Sequence, residues 1–220
     1  PRYSYRIVFI PETIGSIAYI SKNLEKMKEN IVAGFNVTCV GDNNNYSYMP
    51  SRNGETLSDK VSRHILRNKT QEFKEYSFLE RGSDERQYCY PGVDLPVCSV
   101  MRTKYGEYKE YHTSLDDLNF ISMDGLNGAY DIYVAMINAL EKNFTYINRT
   151  LCEPQLGKRG LYPNTSTKSS NSIVKTMMDL LTYCDGNLDL ISVAELIKRP
   201  VFDLYNLVDT LESKGVIRRK

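Results

Sequence analysis

Two loops of the chain carry side chains that could bind a metal ion. Asp84 lies in the segment Gly-Ser-Asp-Glu-Arg at residues 82–86, and His112, one of only two histidines, lies in Tyr-His-Thr at residues 111–113. A carboxylate and an imidazole are both zinc ligands, and loops at strand ends can bring such side chains into one pocket. Residue type alone leaves a second interpretation open, because an aspartate after glycine and serine is also ordinary turn chemistry.

A further acidic residue, Glu12, stands where functional groups collect in open α/β sheets. It follows the apolar run Tyr-Arg-Ile-Val-Phe-Ile at residues 5–10, which predicts a buried strand, and it precedes a predicted helix. A glutamate at a strand end can act as a general base towards a water molecule. The alternative is that Glu12 only stabilises the N-terminus of the helix through the helix dipole.

The elements that would position these residues alternate between strands and helices. Apolar runs predict strands, and apolar residues at steps of three and four predict amphipathic helices. The predicted strands are 5–10, 31–40 and 97–101, and the predicted helices are 14–29, 57–65 and 125–143. This alternation implies an α/β layered core. His64 falls on the second of these helices beside its apolar residues, and we interpret it as structural.

The composition changes near residue 153. Residues 153–168 are rich in glycine, proline and small polar residues, and they are predicted to be a linker between an α/β domain at 1–152 and a second domain at 169–220. A winged helix-turn-helix is indicated for the second domain by its order of helices, glycine and extended segment. Its predicted helices are 173–183, 192–197 and 201–213.

The charges of this second domain disfavour DNA as its partner. Residues 169–220 hold seven basic and seven acidic residues, and the predicted recognition helix carries Asp203, Asp209 and Glu212. A helix that reads the major groove normally presents arginine, lysine, asparagine or glutamine. A protein partner or a homo-oligomer is the favoured interpretation, and simple packing of the same side chains is the alternative. The candidate contacts are Tyr183, Phe202 and Tyr205.

The overall composition narrows the classes of protein further. The chain has 28 lysines and arginines against 27 aspartates and glutamates, so its charge gives no general reason to expect nucleic acid or an anionic membrane. No stretch approaches the roughly 18 consecutive apolar residues that a membrane span needs. The five cysteines form no Cys-x-x-Cys pair, which favours reduced thiols. We therefore expect a cytoplasmic protein.

Taken in order, these motifs resemble the M28-type zinc aminopeptidases. That family has two adjacent glutamates at a strand end, the first a general base and the second a metal ligand, and later ligands in a Ser-Asp loop and a Tyr-His-Thr loop. The resemblance implies that Glu12 is the general base and that Asp84 and His112 bind zinc. It also implies a three-layer zinc-peptidase-like (phosphorylase/hydrolase-like) sheet core. Gly92 and Pro96 fit the same stretch.

The chain departs from the family pattern at two positions. Thr13 stands where the second glutamate belongs, and Glu85 follows Asp84 where the family has histidine. The first departure implies a rearranged metal site or a single bound ion. The second makes Glu85, Arg86 and Tyr88 candidates for orienting the substrate.

A narrower resemblance concerns the organisation of the whole protein. Residues 83–88 and 153–160 resemble an uncharacterised bacterial group of aminopeptidase-like proteins that carry a C-terminal winged helix. The early ligands of the M28 family, a His-x-Asp motif and a bridging aspartate, precede its glutamate pair, whereas residues 1–11 contain neither histidine nor aspartate. We therefore expect the chain to be the C-terminal part of a longer protein, with the missing ligands upstream of Pro1.

These resemblances imply a zinc-dependent hydrolase of amide bonds, an aminopeptidase-like exopeptidase that acts on a peptide or small amide. A metal-dependent acyl-transferring or cyclising enzyme of the same fold is a variant of this hypothesis. The alternative from another class is a regulator that binds DNA or a protein through the winged helix and keeps a degenerate peptidase domain.

Overall fold

The computed structural model describes residues 1–161 and 168–220, except the side chains of 168–171. The chain forms two compact units, Pro1–Ile137 and Asn138–Lys220, and the boundary between them falls inside a helix. No helix in the described ranges is long and apolar enough to cross a membrane. Part of the predicted linker, residues 162–167, lies outside the described residues.

The first unit is built on a four-stranded mixed sheet with the order β1-β4-β2-β3. The strands are β1 (Gly34–Asn36), β2 (Ser47–Met49), β3 (Lys74–Glu75) and β4 (Val97–Met101). β1 runs parallel to β4 and β2 runs parallel to β3, whereas β2 and β4 are antiparallel. The helices are α1 (Ile14–Asn30), α2 (Leu57–Lys69), the single turn α3 (Glu85–Tyr88) and α4 (Met123–Lys142). The predicted α/β class is confirmed.

A buried carboxylate fixes the start of α2. The Thr56 side chain accepts a hydrogen bond from Asp59 N, and the Asp59 side chain accepts one from Thr56 N, which completes a capping box. Asp59 is fully buried and also accepts hydrogen bonds from Tyr48 Oη and from Ser51. Burial acts to raise the pKa of Asp59, but its hydrogen-bond donors outweigh burial and hold that pKa below its usual value. Asp59 therefore joins α2 to β2.

The apolar face of α2 packs as its spacing predicts. Val61 and Ile65 are buried, and the helix covers β4, where the Ser62 hydroxyl lies 3.2 Å from Cys98 Sγ. His64 is buried in the same helix, as expected for a structural histidine. On α4, Tyr133 Oη donates a hydrogen bond to Val100 O at 2.6 Å. α2 and α4 thus both pack on β4, one of the two inner strands of the sheet.

The strand predicted at residues 5–10 is wrong for this structure. The segment has no strand geometry, and Ile7 and Phe9 are 80% and 94% exposed. A buried strand needs a neighbour that pairs its backbone groups and covers its side chains. None of the strands β1 to β4 supplies such a neighbour. The segment is instead held at Arg6, whose Nη1 donates to the Tyr19 hydroxyl at 2.9 Å.

The second unit is a small sheet with three helices. Its strands are β5 (Thr145–Asn148), β6 (Asp185–Asp189) and β7 (Ile217–Arg219), and its helices are α5 (Lys168–Thr182), α6 (Leu190–Leu196) and α7 (Val201–Ser213). The order is β6-β5-β7, and both pairings are antiparallel. Leu180, Ile191, Leu204 and Leu211 are fully buried and form the core of this unit.

β5 lies in the second unit, whereas the sequence predicts a second domain at 169–220. β5 is the central strand of the small sheet, so residues predicted to close the first domain belong to the second unit. The predicted linker also contains structure, a 3-10 turn at Leu156–Arg159 with Leu156 buried. The sequence gives no local signal for β5, because its partner strands lie about 40 and 70 residues further along the chain.

Substitution of Gly125 tests how closely α4 packs on the loop after β1. A Cβ atom at this position would lie 2.1 Å from Gly41 O and 2.6 Å from Asp42 O. Alanine favours a helix over glycine by about 1 kcal/mol, but overpacking against rigid backbone costs about 1–3 kcal/mol or more. We expect Gly125→Ala to lower the free energy of unfolding in urea by about 2 kcal/mol.

The matched control for this substitution is Gly92→Ala, since no atom lies within 4 Å of a Cβ at Gly92. We expect it to change the free energy of unfolding by less than about 0.5 kcal/mol. Equal stability of the two variants would contradict the packing described for α4.

Candidate functional site

Glu12 lies in a strained turn directly before α1. Thr13 has φ 62° and ψ −66°, and Ile14 N donates to Glu12 O at 2.7 Å. These values define a classic γ-turn, which is rare and is unfavourable for a β-branched residue. Such a turn persists only when its surroundings hold it, at a cost of about 1–3 kcal/mol. The contacts that hold Glu12 and Thr13 are therefore part of the site.

The loop at residues 82–86 supplies these contacts. Ser83 Oγ donates to Glu12 Oε1 at 2.5 Å, and Arg86 Nη2 donates to Thr13 Oγ1 at 2.8 Å. The Oδ1 atom of Asp84 accepts hydrogen bonds from Thr13 N at 2.6 Å and from Ser16 Oγ at 2.9 Å. The structure thus brings together Glu12 and Asp84, which are 72 positions apart in the sequence.

Glu85 anchors this loop to the sheet. Its side chain is fully buried and accepts five hydrogen bonds, two of them from the backbone N–H groups of the same loop. The donors are Gly82 N, Ser83 N, Tyr105 Oη, Asn36 Nδ2 and Ser99 Oγ. Asn36 belongs to β1 and Ser99 to β4, so the carboxylate connects the loop to both strands. This arrangement favours a positioning role for Glu85 rather than the substrate contact predicted from sequence.

Arg86 and Tyr88, the other two residues predicted to orient substrate, lie on the turn α3 beside Asp84. Arg86 is half-buried, and within the described ranges its Nε has no hydrogen-bond partner. Burial, together with the nearby charge of Asp84, raises the pKa of Tyr88 to about 12. Arg86 and Tyr88 therefore lie next to the two segments that carry Glu12 and Asp84.

His112 lies in an exposed loop between β4 and α4. It has a positive φ of 58°, and its ring stacks on Tyr111 with the centroids 3.9 Å apart. Burial raises the pKa of Tyr111, and the negative charge of Glu12 contributes to the same shift. Within this loop it is thus Tyr111 that senses the charge of Glu12. The structure leaves the His112 imidazole exposed to solvent.

The residues that could bind a metal ion are of the right type but too few. Asp84 Oδ1 is occupied by Thr13 and Ser16, whereas Oδ2 accepts no hydrogen bond from the described part of the chain. A catalytic zinc ion usually has three protein ligands and one open position. In residues 1–161 and 172–220 no group of three histidine, cysteine or carboxylate side chains could hold a metal ion. Asp84 and His112 alone therefore do not form a complete zinc site.

Several residues of the site carry no signal in the sequence. Ser16 and Ser83 donate to the two carboxylates, and Tyr105 and Asn36 hold Glu85. Serine, tyrosine and asparagine are common in loops, and only the folding of four separate segments brings them together. The Glu-Thr, Ser-Asp and Tyr-His-Thr motifs are the sequence signals of the site.

Comparison with known proteins assigns the chain to a family. The chain belongs to the family described as a domain of unknown function (DUF4910), whose model matches residues 1–143. A winged helix-turn-helix model matches residues 144–219, which confirms the predicted winged helix and begins just before β5.

Two matches come from Clostridium acetobutylicum. One, described as a polysaccharide biosynthesis protein with an aminopeptidase-like domain, is 42% identical over 195 residues, which are 88% of this chain and 44% of that protein. The other, a crystal structure of a protein described as a peptidase, matches with a TM-score of 0.85 at 35% identity over 96% of this chain and 47% of that one. The chain thus spans about half the length of these relatives.

A third similarity is more distant. The aminopeptidase of Aneurinibacillus sp. strain AM-1 matches 57% of this chain and 30% of its own length, with a TM-score of 0.49 at 18% identity. The similarity to an aminopeptidase-like protein predicted from sequence is confirmed by the first Clostridium relative.

Glu85→Gln tests whether the buried carboxylate anchors the loop. Glutamine keeps the size of the side chain but turns an NH2 group towards donors that need an acceptor. Leaving buried donors unsatisfied costs about 1–3 kcal/mol each, so we expect the variant to be destabilised by about 3 kcal/mol in urea unfolding.

The control is Glu25→Gln on the exposed surface of α1, which makes the same change of charge. It should leave the free energy of unfolding within about 0.5 kcal/mol of the unmodified chain. If Glu85→Gln were as stable as this control, the anchoring role would be wrong.

Proposed function

We propose that the first unit contributes to a zinc-dependent hydrolase of amide bonds, an aminopeptidase-like exopeptidase that acts on a peptide or small amide. The observation that supports this function best is the connection between Glu12 and the Ser83-Asp84 loop. Glu12, which precedes α1, and Asp84, which keeps its Oδ2 free, are held side by side by four hydrogen bonds. The similarity to a protein with an aminopeptidase-like domain supports the same class of reaction.

Glu12 is the general base of this proposal. Its carboxylate is exposed, and Ser83 directs it by a single hydrogen bond to Oε1. Its other oxygen is thus available to take a proton from a water molecule and pass it to the leaving amine. The rigid turn at Thr13 fixes the direction of this carboxylate, and such positioning is a large part of catalytic efficiency.

Asp84 and His112 are the proposed zinc ligands of this chain. Asp84 can offer Oδ2 while Oδ1 keeps its hydrogen bonds to Thr13 and Ser16. The stacking of His112 on Tyr111 limits the orientations of its ring. When bound, zinc would lower the pKa of a water ligand and polarise the amide carbonyl. Other residues must complete the ligand set, because the described part of this chain does not.

Arg86 and Tyr88 are the proposed substrate contacts. Both lie on the turn that carries Asp84 at its start, so they are near enough to contact a substrate bound beside Asp84. The hydroxyl of Tyr88 stays protonated at neutral pH and can donate a hydrogen bond. Glu85 acts indirectly, by fixing the loop to β1 and β4.

The second unit is proposed to contact a protein partner or a second copy of the chain rather than DNA. Arg219, near the end of β7, is paired with Glu212 at 3.0 Å and lies over the Phe144 ring. Lys220 Nζ donates to Gly186 O at 2.9 Å. These cations are therefore engaged within the unit instead of being directed towards phosphates. Tyr183 is 38% exposed and is the most accessible of the predicted contacts.

Hydrolysis is tested in the complete product of the gene that encodes this chain, with release of the N-terminal residue from short peptides as the measurement. Glu12→Gln removes the base but keeps the acceptor for Ser83, so we expect the turnover to fall by about 10²–10⁴-fold. His112→Ala should lower both turnover and the zinc content measured by mass spectrometry.

The control for His112→Ala is Lys109→Ala in the same exposed loop, whose contact with Glu110 spans 3.9 Å. It should keep its zinc and its turnover. Wild-type turnover in both Glu12→Gln and His112→Ala would rule out the proposed function.

The choice of partner for the winged helix is tested by titrating the chain with a short fluorescent duplex DNA at low salt. Because phosphate contacts dominate DNA affinity at low ionic strength, a DNA-binding unit would show saturable binding that weakens as salt is added. We expect no saturable change in fluorescence anisotropy. Saturable, salt-dependent binding would favour the regulator hypothesis instead.

A further inference from the structure

Arg102 is a buried cation that takes no part in the candidate site. It follows β4 directly, and its backbone N–H donates to Cys39 O, beyond the end of β1, at 2.8 Å. β1 and β4 run parallel, so their carboxyl ends meet at this place. Ligands of open α/β sheets bind outside the carboxyl ends of the strands. Only 7% of Arg102 is exposed.

The guanidinium of Arg102 has an aromatic contact but no anionic one. Its Cζ lies 4.0 Å from the centroid of the Tyr46 ring. Its Nη1 approaches α4 so closely that a Cβ atom at Gly128 would lie 2.8 Å from it. The buried Nε has no hydrogen-bond partner in the part of the chain that the structure describes. Among those residues no carboxylate forms an ion pair with it at 4.0 Å or less.

The buried carboxylate of the same region is used elsewhere. Asp42 is 3% exposed and accepts hydrogen bonds from Thr103 N at 2.9 Å, Thr103 Oγ1 at 2.6 Å and Asn44 N at 2.9 Å. Thr103 directly follows Arg102 in the chain. Asp42 therefore orders the loop at Thr103 and does not pair with the guanidinium of Arg102.

A buried guanidinium in these surroundings is complementary to an anion. Burial removes water from the charge, and a cation–π contact with one ring recovers only part of what is lost. Arginine presents its N–H groups as a planar fork that matches a carboxylate or phosphate group with two parallel hydrogen bonds. The absence of a Cβ atom at Gly128 allows the Tyr46 hydroxyl and Arg102 Nη1 to approach α4 closely.

We propose that Arg102, between Tyr46 and Gly128, binds the carboxylate or phosphate group of a small-molecule ligand at the carboxyl ends of β1 and β4. Arg102 fixes the anionic group, and Tyr46 holds the guanidinium in its orientation. The site does not depend on the proposed hydrolysis, because Glu12, Asp84 and His112 are not part of it.

Isothermal titration calorimetry of the chain tests this site, with inorganic phosphate and glutarate as separate probes at constant ionic strength. The two probes distinguish a phosphate from a carboxylate ligand. We expect saturable binding of one of them, and an affinity at least about tenfold weaker in Arg102→Gln. Arg102→Lys keeps the charge without the fork, and it should also bind more weakly.

The control is Arg52→Gln, which removes the same charge from an exposed arginine paired with Asp94 at 2.7 Å. It should bind the probe as the unmodified chain does, and circular dichroism checks that each variant is folded. If Arg102→Gln does not fold, Arg102→Lys decides the question. The proposal is overturned if neither probe binds, if Arg102→Lys keeps full affinity, or if the Arg52 and Arg102 variants lose affinity equally.

Discussion

The Asp84 carboxylate holds a strained turn in place, and the candidate site depends on that interaction. Thr13 adopts a positive φ that a β-branched residue avoids, and Asp84 Oδ1 binds its N–H at 2.6 Å. Glu85 in turn fixes the loop of Asp84 to β1 and β4. The two glutamates of the site thus have opposite environments. Glu85 is buried and saturated with donors, whereas Glu12 is exposed and remains free for chemistry.

The helices could be predicted from sequence because their signal is local. The spacing of Val61 and Ile65 predicts α2, and the apolar face of 201–213 predicts α7. The structure gives α7 the same first and last residues as the prediction. The short strands β2, β3 and β5 were not predicted. β2 and β3 have three and two residues, and β5 pairs only with distant segments. The apolar run at 5–10 indicates side chains suited to burial, but it does not indicate which other element would cover them.

The candidate site was predictable to a similar extent. Glu12, Asp84 and His112 stand in recognisable motifs, and the structure places Glu12 and Asp84 side by side. The role of Glu85 was not predictable, because it follows from five donors that three-dimensional folding collects around one carboxylate. Arg102 gave no signal either, since an arginine after a strand is ordinary until its burial without an acidic partner is known.

Joint binding of a metal ion by Asp84 and His112 is the part of the proposed function on which the rest depends. Anomalous diffraction at the zinc absorption edge, from zinc-loaded crystals of the complete gene product, tests it most directly. We expect an anomalous peak about 2.0–2.2 Å from Asp84 Oδ2 and from a ring nitrogen of His112. Zinc-loaded crystals with no peak between these two side chains, or with the ion bound only by other residues, would contradict it.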